Sequence, residues 1–189
     1  LNDVVGGGDP RFVAQNTRDM LLKHANIREG MRVYEIGCGC GRAALAVYPE
    51  ISKSGYYMGV DMIPNLIDFT RREISSQSKN FDFFAVADEN PLYNDFIKPD
   101  FDHLYMKNES IELNSSFDLV MAFSVFTHLS LAEARAMLKQ IWERLAVNGI
   151  AVLSFFVIDN TAREAIQKGR TNNFKSEKSA VIGDSVMDN

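Results

Sequence analysis

The chain has 189 residues, 46% of them hydrophobic, which is enough for one domain with a sizeable core. Its formal net charge of -5 argues against nucleic-acid binding, which usually requires a basic face. No apolar run approaches the roughly 20 residues of a membrane helix, and two cysteines one residue apart form no disulfide framework, so we predict a cytoplasmic protein without nucleic-acid or membrane partners.

The first predicted elements are a helix, a strand and a glycine-rich turn. Asp9 followed by Pro10 favours a helix start, because aspartate caps helices and proline suits their first turn. That helix runs to about residue 27, and residues 31–36 form a short strand. The strand leads directly into Gly-Cys-Gly-Cys-Gly at residues 37–41, after which an alanine-rich helix begins.

Apolar strands and helices alternate through the rest of the chain. Further strands are predicted at residues 56–60, 81–87, 117–123 and 150–158, with helices that begin at Pro64 and near Ser130. The helix after Ser130 starts with capping-box spacing, and we expect its inner face to include Leu138, Ile141, Trp142 and Leu145. Asn148 and Gly149 are predicted to turn the chain before the fifth strand.

The predicted domain covers residues 1–189 as a single unit with a motif core at 31–158. Residues 90–116 have poor periodicity and form a predicted irregular insertion, which is either a functional segment or a surface excursion. Residues 170–189 are polar and form a predicted weakly structured tail.

Alternating strands and helices indicate an α/β fold with a doubly wound, mostly parallel sheet and helices on both faces. In such sheets ligands bind outside the carboxyl ends of the strands, where the strand order reverses. Four residues with useful chemistry follow or end predicted strands, namely Glu35, Asp61, Asp88 and Ser124. We therefore expect the functional site at this edge of the sheet.

The glycine turn and Asp61 together indicate a cofactor that contains a nucleoside. Glycines tolerate positive φ and let a ligand approach the backbone, while the following helix presents free N–H groups. Asp61 ends the next strand, 20 residues after Gly41, and an ionised carboxylate offers two oxygens to the hydroxyls of a ribose. The alternative is a tight turn without a ligand and an Asp61 that only caps a helix.

Two motifs compete for the identity of that cofactor. Gly39 to Ala44 matches G-x-G-x-x-A, a dinucleotide fingerprint, whereas Glu35 to Gly41 matches E-x-G-x-G-x-G. The second pattern is similar to motif I of class I S-adenosylmethionine-dependent methyltransferases, which have a Rossmann-like fold. Glu35 adds a second carboxylate, which suits a cofactor with an ammonium and a sulfonium better than a pyrophosphate.

The resemblance extends over roughly residues 11–158. Residues 84–88 and 117–124 look like the third-strand and fourth-strand motifs of the same family. The run at 124–129 resembles one typical of bacterial small-molecule methyltransferases, and residues 145–149 look like the usual turn into the fifth strand.

The resemblance implies a set of site residues. Those expected to bind S-adenosylmethionine are Glu35, Gly37, Cys38, Gly39, Gly41, Asp61, Met62, Asp88 and Phe123. In the family pattern Glu35 and the glycines hold the methionine part, Asp61 binds the ribose, and Met62 and Asp88 contact the adenine. Ser124 would lie beside the transferring methyl group.

His128 is the candidate general base, because its unperturbed pKa lies near 6.5. A histidine that only packs beneath the site remains the alternative. Cys38 and Cys40 lack the companion ligands of a zinc site, so we predict no metal.

The chain departs from the family pattern at its carboxyl end. The family sheet normally continues with two further strands, yet only about thirty residues follow Ile158. We therefore expect the C-terminal strands to be incomplete, or to be completed by another chain.

The predicted function is S-adenosylmethionine-dependent methyl transfer to a small-molecule acceptor by in-line displacement, with catalysis arising chiefly from positioning. An NAD(P)-binding oxidoreductase domain and a non-catalytic cofactor-binding module are the alternatives. Self-association as a homo-oligomer is left open.

Overall fold

The computed structural model describes residues 9–86, 116–155 and 159–168. The strands are β1 (Arg32–Ile36), β2 (Tyr56–Asp61), β3 (Phe81–Ala85), β4 (Phe117–Ala122) and β5 (Leu145–Leu153). The helices are α1 (Pro10–His24), α2 (Arg42–Ile51), α3 (Pro64–Thr70), α4 (Leu131–Arg144) and α5 (Asn160–Gln167). A π-helical turn at Arg71–Ser75 extends α3, and a 3-10 turn at Phe126–His128 precedes α4.

The five described strands form one parallel sheet in the order β3-β2-β1-β4-β5. The order reverses between β1 and β4, so their carboxyl ends border the crevice where ligands of such sheets bind. One face packs on α1, α2 and α3 through Leu21, Val47 and Ile67, and the other packs on α4 through Ile141. The predicted doubly wound α/β fold is confirmed.

Helix starts follow the local signals in the sequence. The Asp9 carboxylate accepts the backbone N–H of Arg11 at 2.9 Å, which caps α1. Ser130 and Glu133 form the predicted capping box at the start of α4, with the Ser130 N–H donating to the Glu133 carboxylate at 2.7 Å. Each bond satisfies an N–H group that has no partner within its helix.

The predicted start of the fifth strand is wrong. We expected a strand from residue 150 after a turn at Asn148 and Gly149, whereas β5 already begins at Leu145, which pairs with Phe117. The pairing then shifts register and resumes at Ile150. Asn148 adopts a φ of 65°, so the turn is a bulge within the strand instead of its boundary.

The predicted inner face of α4 is wrong at three positions, one of which is Leu145, which lies in β5 and not in the helix. Ile141 is 2% exposed as expected, but Leu138 is 41% exposed and Trp142 is 79% exposed. The residues of α4 that pack on the sheet follow helical spacing to Ile141, namely Ala134, Met137 and Ile141. Leu138 and Trp142 each follow an inner residue by one position, which rotates them towards solvent.

Some predictions fall on parts of the chain that the structure does not describe. These are most of the insertion at 90–116, the tail at 170–189 and the incomplete C-terminal strands, all of which stay predictions. Within the described residues β5 pairs only with β4, and it forms one edge of the sheet. None of the described helices combines the length and apolar character needed to cross a bilayer.

Candidate functional site

The glycine turn between β1 and α2 is built from left-handed backbone. Gly37, Gly39 and Gly41 have φ values of 72°, 53° and 82°, which side-chain-bearing residues rarely adopt. The N–H groups of Gly37 and Cys38 both donate to the Val60 carbonyl, at 2.8 and 3.0 Å. The turn is therefore anchored on the last residues of β2, and it opens α2 without a side-chain cap.

Asp61 lies directly against this turn. One carboxylate oxygen accepts the Gly39 N–H at 2.8 Å, and the other accepts the Ile63 N–H at 2.9 Å. Burial raises the pKa of the Asp61 carboxyl, while these backbone N–H groups and that of Met62 act to lower it. Each oxygen retains a second lone pair, so the carboxylate can still receive hydroxyl groups from a ligand.

Glu35 is the last residue but one of β1, lies beneath the same turn and is only 3% exposed. Its carboxyl accepts a short hydrogen bond from the Tyr57 hydroxyl. Burial raises the pKa of Glu35 to about 8; the Tyr57 hydrogen bond and the charge of Arg42 act to lower it, and the Asp61 charge raises it. At neutral pH the carboxyl is therefore mostly protonated, and a nearby cation would favour its ionised form.

The carboxyl end of β4 brings Phe123 and Ser124 to the other side of the crevice. Phe123 packs against the core face covered by α1 to α3, whereas Ser124 is exposed with a φ of 59°. The Ser124 N–H donates to the Ser154 hydroxyl at 2.7 Å, which ties this turn to the end of β5. His128 is exposed in the 3-10 turn that follows.

The structure brings most of the predicted site together. Glu35, the three glycines and Asp61 form one contiguous group, and the pairing of Ile36 with Ala122 places Ser124 at the same edge. Met62 is half-buried beside Asp61. Asp88 lies outside the described residues, so its role stays a prediction, as do the catalytic roles of Ser124 and His128.

Cys38 contributes to the core as well as to the turn. Its side chain is buried, and burial raises the pKa of its thiol well above the usual value. Cys40 is half-buried. Across the described ranges no cluster of three or more histidine, cysteine or acidic side chains is arranged to hold a metal ion.

Gly41→Ala is expected to destabilise the protein by about 2 kcal/mol, through left-handed strain and steric overlap. A Cβ at this position would lie 2.6 Å from Ile74 Cδ1 and 3.2 Å from Thr70 Cγ2. Gly30→Ala is the matched control, because Gly30 has a φ of 84° and no atom within 4 Å of its Cβ position. Chemical denaturation should show a loss of about 1 kcal/mol in the free energy of unfolding for Gly30→Ala. Equal losses in Gly30→Ala and Gly41→Ala would contradict the steric part of this prediction.

Sequence reasoning missed two residues that organise the site. The sequence indicates only that Tyr57 lies in the second strand and Ser154 in the fifth. One feature of the sequence points to the Tyr57 interaction: Tyr57 and Glu35 are polar residues in two strands that are both predicted to be buried. The contact itself depends on strand register, in which Glu35 pairs with Gly59.

The chain is similar to a known protein family and to individual known proteins. A family model described as "Methyltransferase domain" matches residues 34–151, which is more than half of the chain. A protein-L-isoaspartate O-methyltransferase of Methanothrix thermoacetophila is 36% identical over 55 residues, covering 29% of this chain and 26% of that protein. The carboxy-S-adenosyl-L-methionine synthase of Glaesserella parasuis is 25% identical over 149 residues, covering 77% of this chain and 54% of that protein.

Solved structures agree with the fold. The magnesium protoporphyrin IX methyltransferase of Synechocystis, solved with bound S-adenosylhomocysteine, has a TM-score of 0.56 at 17% identity and covers 92% of this chain and 72% of its own. The chain spans about half, or less, of the length of the two curated relatives above. From the family match, the sheet order and the motif-I turn, we conclude that the chain belongs to the class I S-adenosylmethionine-dependent methyltransferase family.

Proposed function

We propose that this chain binds S-adenosylmethionine at the carboxyl edge of its sheet and transfers the methyl group to a small-molecule acceptor. The observation that carries the proposal is the 2.8 Å hydrogen bond from the Gly39 N–H to the Asp61 carboxylate. It joins the glycine turn, whose backbone suits close ligand approach, to an acid that can bind a ribose. Glu35 lies in the same group and adds a second acid.

The side chains of the site fit S-adenosylmethionine better than a dinucleotide. The Glu35 carboxyl lies at the turn, where a pyrophosphate would oppose its ionised form and a cation would favour it. Asp61 could bind the ribose of either cofactor, so Glu35 is the residue that distinguishes the two. The methionine end of S-adenosylmethionine carries an ammonium and a sulfonium, which an acid favours. Glu35 and the turn would hold this end, Asp61 the ribose, and Met62 and Asp88 the adenine.

The main contribution of the chain to the reaction is to position the cofactor and the acceptor. S-adenosylmethionine supplies a methyl group on a sulfonium, which is a good electrophile. The turn, Asp61 and Ser124 would orient cofactor and acceptor in line, which is the effect that lowers the barrier most in such a transfer. His128 would accept a proton where the acceptor arrives protonated.

A small molecule is the acceptor class that we propose. The family run at residues 124–129 and the acidic net charge of -5 support it. One similar structure is named for a magnesium porphyrin, whereas one curated relative is named for isoaspartate in proteins. The acceptor class therefore has to be tested directly.

Calorimetric titration with S-adenosylhomocysteine and with NAD tests the cofactor. We expect saturable binding of S-adenosylhomocysteine and none of NAD, because the Glu35 carboxyl at the turn favours a cationic group over a pyrophosphate. Saturable NAD binding without a response to S-adenosylhomocysteine would show that the proposal is wrong. Transfer of a labelled methyl group to a panel of small-molecule and protein acceptors then tests the activity, and cofactor binding without transfer to any acceptor would favour a non-catalytic module.

A further inference from the structure

The hydroxyl of Tyr57 is held firmly inside the core. The side chain is fully buried, and its ring stacks on Phe81 with centroids 5.1 Å apart and tilts against Phe83 at 5.3 Å. These contacts fix the ring, so its hydroxyl has a defined position. That hydroxyl donates to the Glu35 carboxyl, across two adjacent strands of the sheet.

Gly59 makes room for this interaction. It is the register partner of Glu35 on β2. A Cβ at Gly59 would lie 3.0 Å from Tyr57 Cε1 and 3.0 Å from Cys38 Cβ, closer than most real contacts. The missing side chain therefore lets the Tyr57 ring pack over β2 and lets its hydroxyl reach Glu35.

The groups around Glu35 have opposing effects on its charge. From β2, the Tyr57 hydrogen bond stabilises the ionised carboxylate and Asp61 destabilises it; from α2, Arg42 stabilises it. The Cys38 thiol faces Glu35 from the turn, and Met121, its register partner on β4, carries no charge. Tyr57 is thus the group among these that bonds directly to the carboxyl.

We propose that Tyr57 is a positioning residue, which fixes the Glu35 carboxylate in the orientation that receives the cationic methionine end of bound S-adenosylmethionine. This inference rests on the proposed cofactor. A donor aimed at one carboxylate oxygen restricts the side-chain rotation and favours the ionised form. Tyr57 thereby acts on the ligand through Glu35, without touching it.

Tyr57→Phe tests the proposal, with Tyr56→Phe as its matched control. The phenylalanine ring of the first variant would keep the stacking contacts and lose only the hydroxyl. Tyr56 is the preceding residue on the same strand, and its hydroxyl donates to the Asp82 carboxylate at 2.9 Å on the opposite face of the sheet. Each variant therefore removes one tyrosine–carboxylate hydrogen bond, and only one of them involves Glu35.

The first measurement is the affinity for S-adenosylhomocysteine as a function of pH. In the wild type we expect the affinity to rise with pH as Glu35 ionises. In Tyr57→Phe we expect about tenfold weaker binding at neutral pH and a midpoint shifted upwards by about one pH unit, because the ionised form has lost its donor. Tyr56→Phe should follow the wild type, and a Tyr57→Phe curve that matches it as well would overturn the proposal.

The second measurement needs no ligand. The free energy of unfolding of the wild type should fall with rising pH until Glu35 is ionised, and in Tyr57→Phe this fall should continue to higher pH. A variant with lower stability but an unchanged pH profile would show that Tyr57 is merely structural. If the wild type fails to bind S-adenosylhomocysteine while the shifted profile is seen, the proposed cofactor is wrong, and the coupling of Tyr57 to Glu35 still holds.

Discussion

Asp61→Ala should weaken the binding of S-adenosylhomocysteine by about 10- to 150-fold, which corresponds to about 1.5–3 kcal/mol for lost charge-assisted hydrogen bonds. The carboxylate accepts hydrogen bonds from the Gly39 N–H at 2.8 Å and the Ile63 N–H at 2.9 Å. In our proposal it also accepts hydrogen bonds from the ribose hydroxyls. The substitution removes the ribose acceptors and loosens the turn on which the methionine part rests. Isothermal calorimetry at fixed pH measures the loss.

Two controls separate the ribose contact from the anchoring of the turn. Asp118 also holds a backbone N–H, that of Arg32 at 2.8 Å, but it lies at the amino ends of the strands. Asp118→Ala should therefore affect stability and leave cofactor affinity unchanged. A 2′-deoxy analogue should bind the wild type more weakly than S-adenosylhomocysteine does, and it should show no such deficit in Asp61→Ala, because the partner of the 2′-hydroxyl is then already absent.

Affinity in Asp61→Ala within twofold of the wild type would show that this carboxylate is not the ribose ligand. The structural role of Asp61 would remain, since its bonds to Gly39 and Ile63 do not depend on a ligand. Equal deficits of the 2′-deoxy analogue in both proteins would lead to the same conclusion.

The elements that sequence predicted well depend on local chemistry. Asp9 before Pro10 and the Ser130–Glu133 pair cap helices through bonds that span at most three residues. The glycine turn follows from the backbone freedom of three closely spaced glycines. The joint position of Glu35 and Asp61 required one further rule, that parallel strands end at a common edge.

The errors concern properties that neighbours in space decide. In α4 a buried residue and an exposed residue can be neighbours in the sequence. Only packing against the sheet decides that Ile141 is buried and Trp142 is exposed. A turn at Asn148 is predicted correctly from the sequence. However, the residues before and after Asn148 both pair with β4, which makes this turn a bulge within the strand. The bond between Tyr57 and Glu35 depends on register and on the gap at Gly59, which no local pattern encodes.

Glu35→Gln is expected to stabilise the ligand-free protein at alkaline pH, by an amount on the order of 3–5 kcal/mol. The pKa of Glu35 is raised from 4.5 to about 8, chiefly by burial, so the folded protein has to ionise a buried group as the pH rises. Glutamine has the same shape and never ionises, and its carbonyl can still accept the Tyr57 hydroxyl. Chemical denaturation across a pH series measures the difference between the two proteins.

The sign follows from the protons bound by each state. Below pH 4.5 both the folded and the unfolded wild type hold the Glu35 proton, so Glu35→Gln should differ little from it. Between 4.5 and about 8 the folded state binds more protons, and wild-type stability falls by about 1.4 kcal/mol per pH unit. Above about 8 both states are ionised at this residue, and the advantage of Glu35→Gln should reach a plateau.

Glu73→Gln provides the matched control, because Glu73 is exposed in the turn after α3 and the same substitution there should leave the pH profile unchanged. A constant difference between Glu35→Gln and the wild type across the pH series would contradict the prediction. Glu35→Gln should also bind S-adenosylhomocysteine more weakly, since it cannot supply a negative charge to the ammonium. A buried acid that costs stability without a ligand, and contributes to affinity with one, is consistent with a residue placed in the core for binding and not for folding.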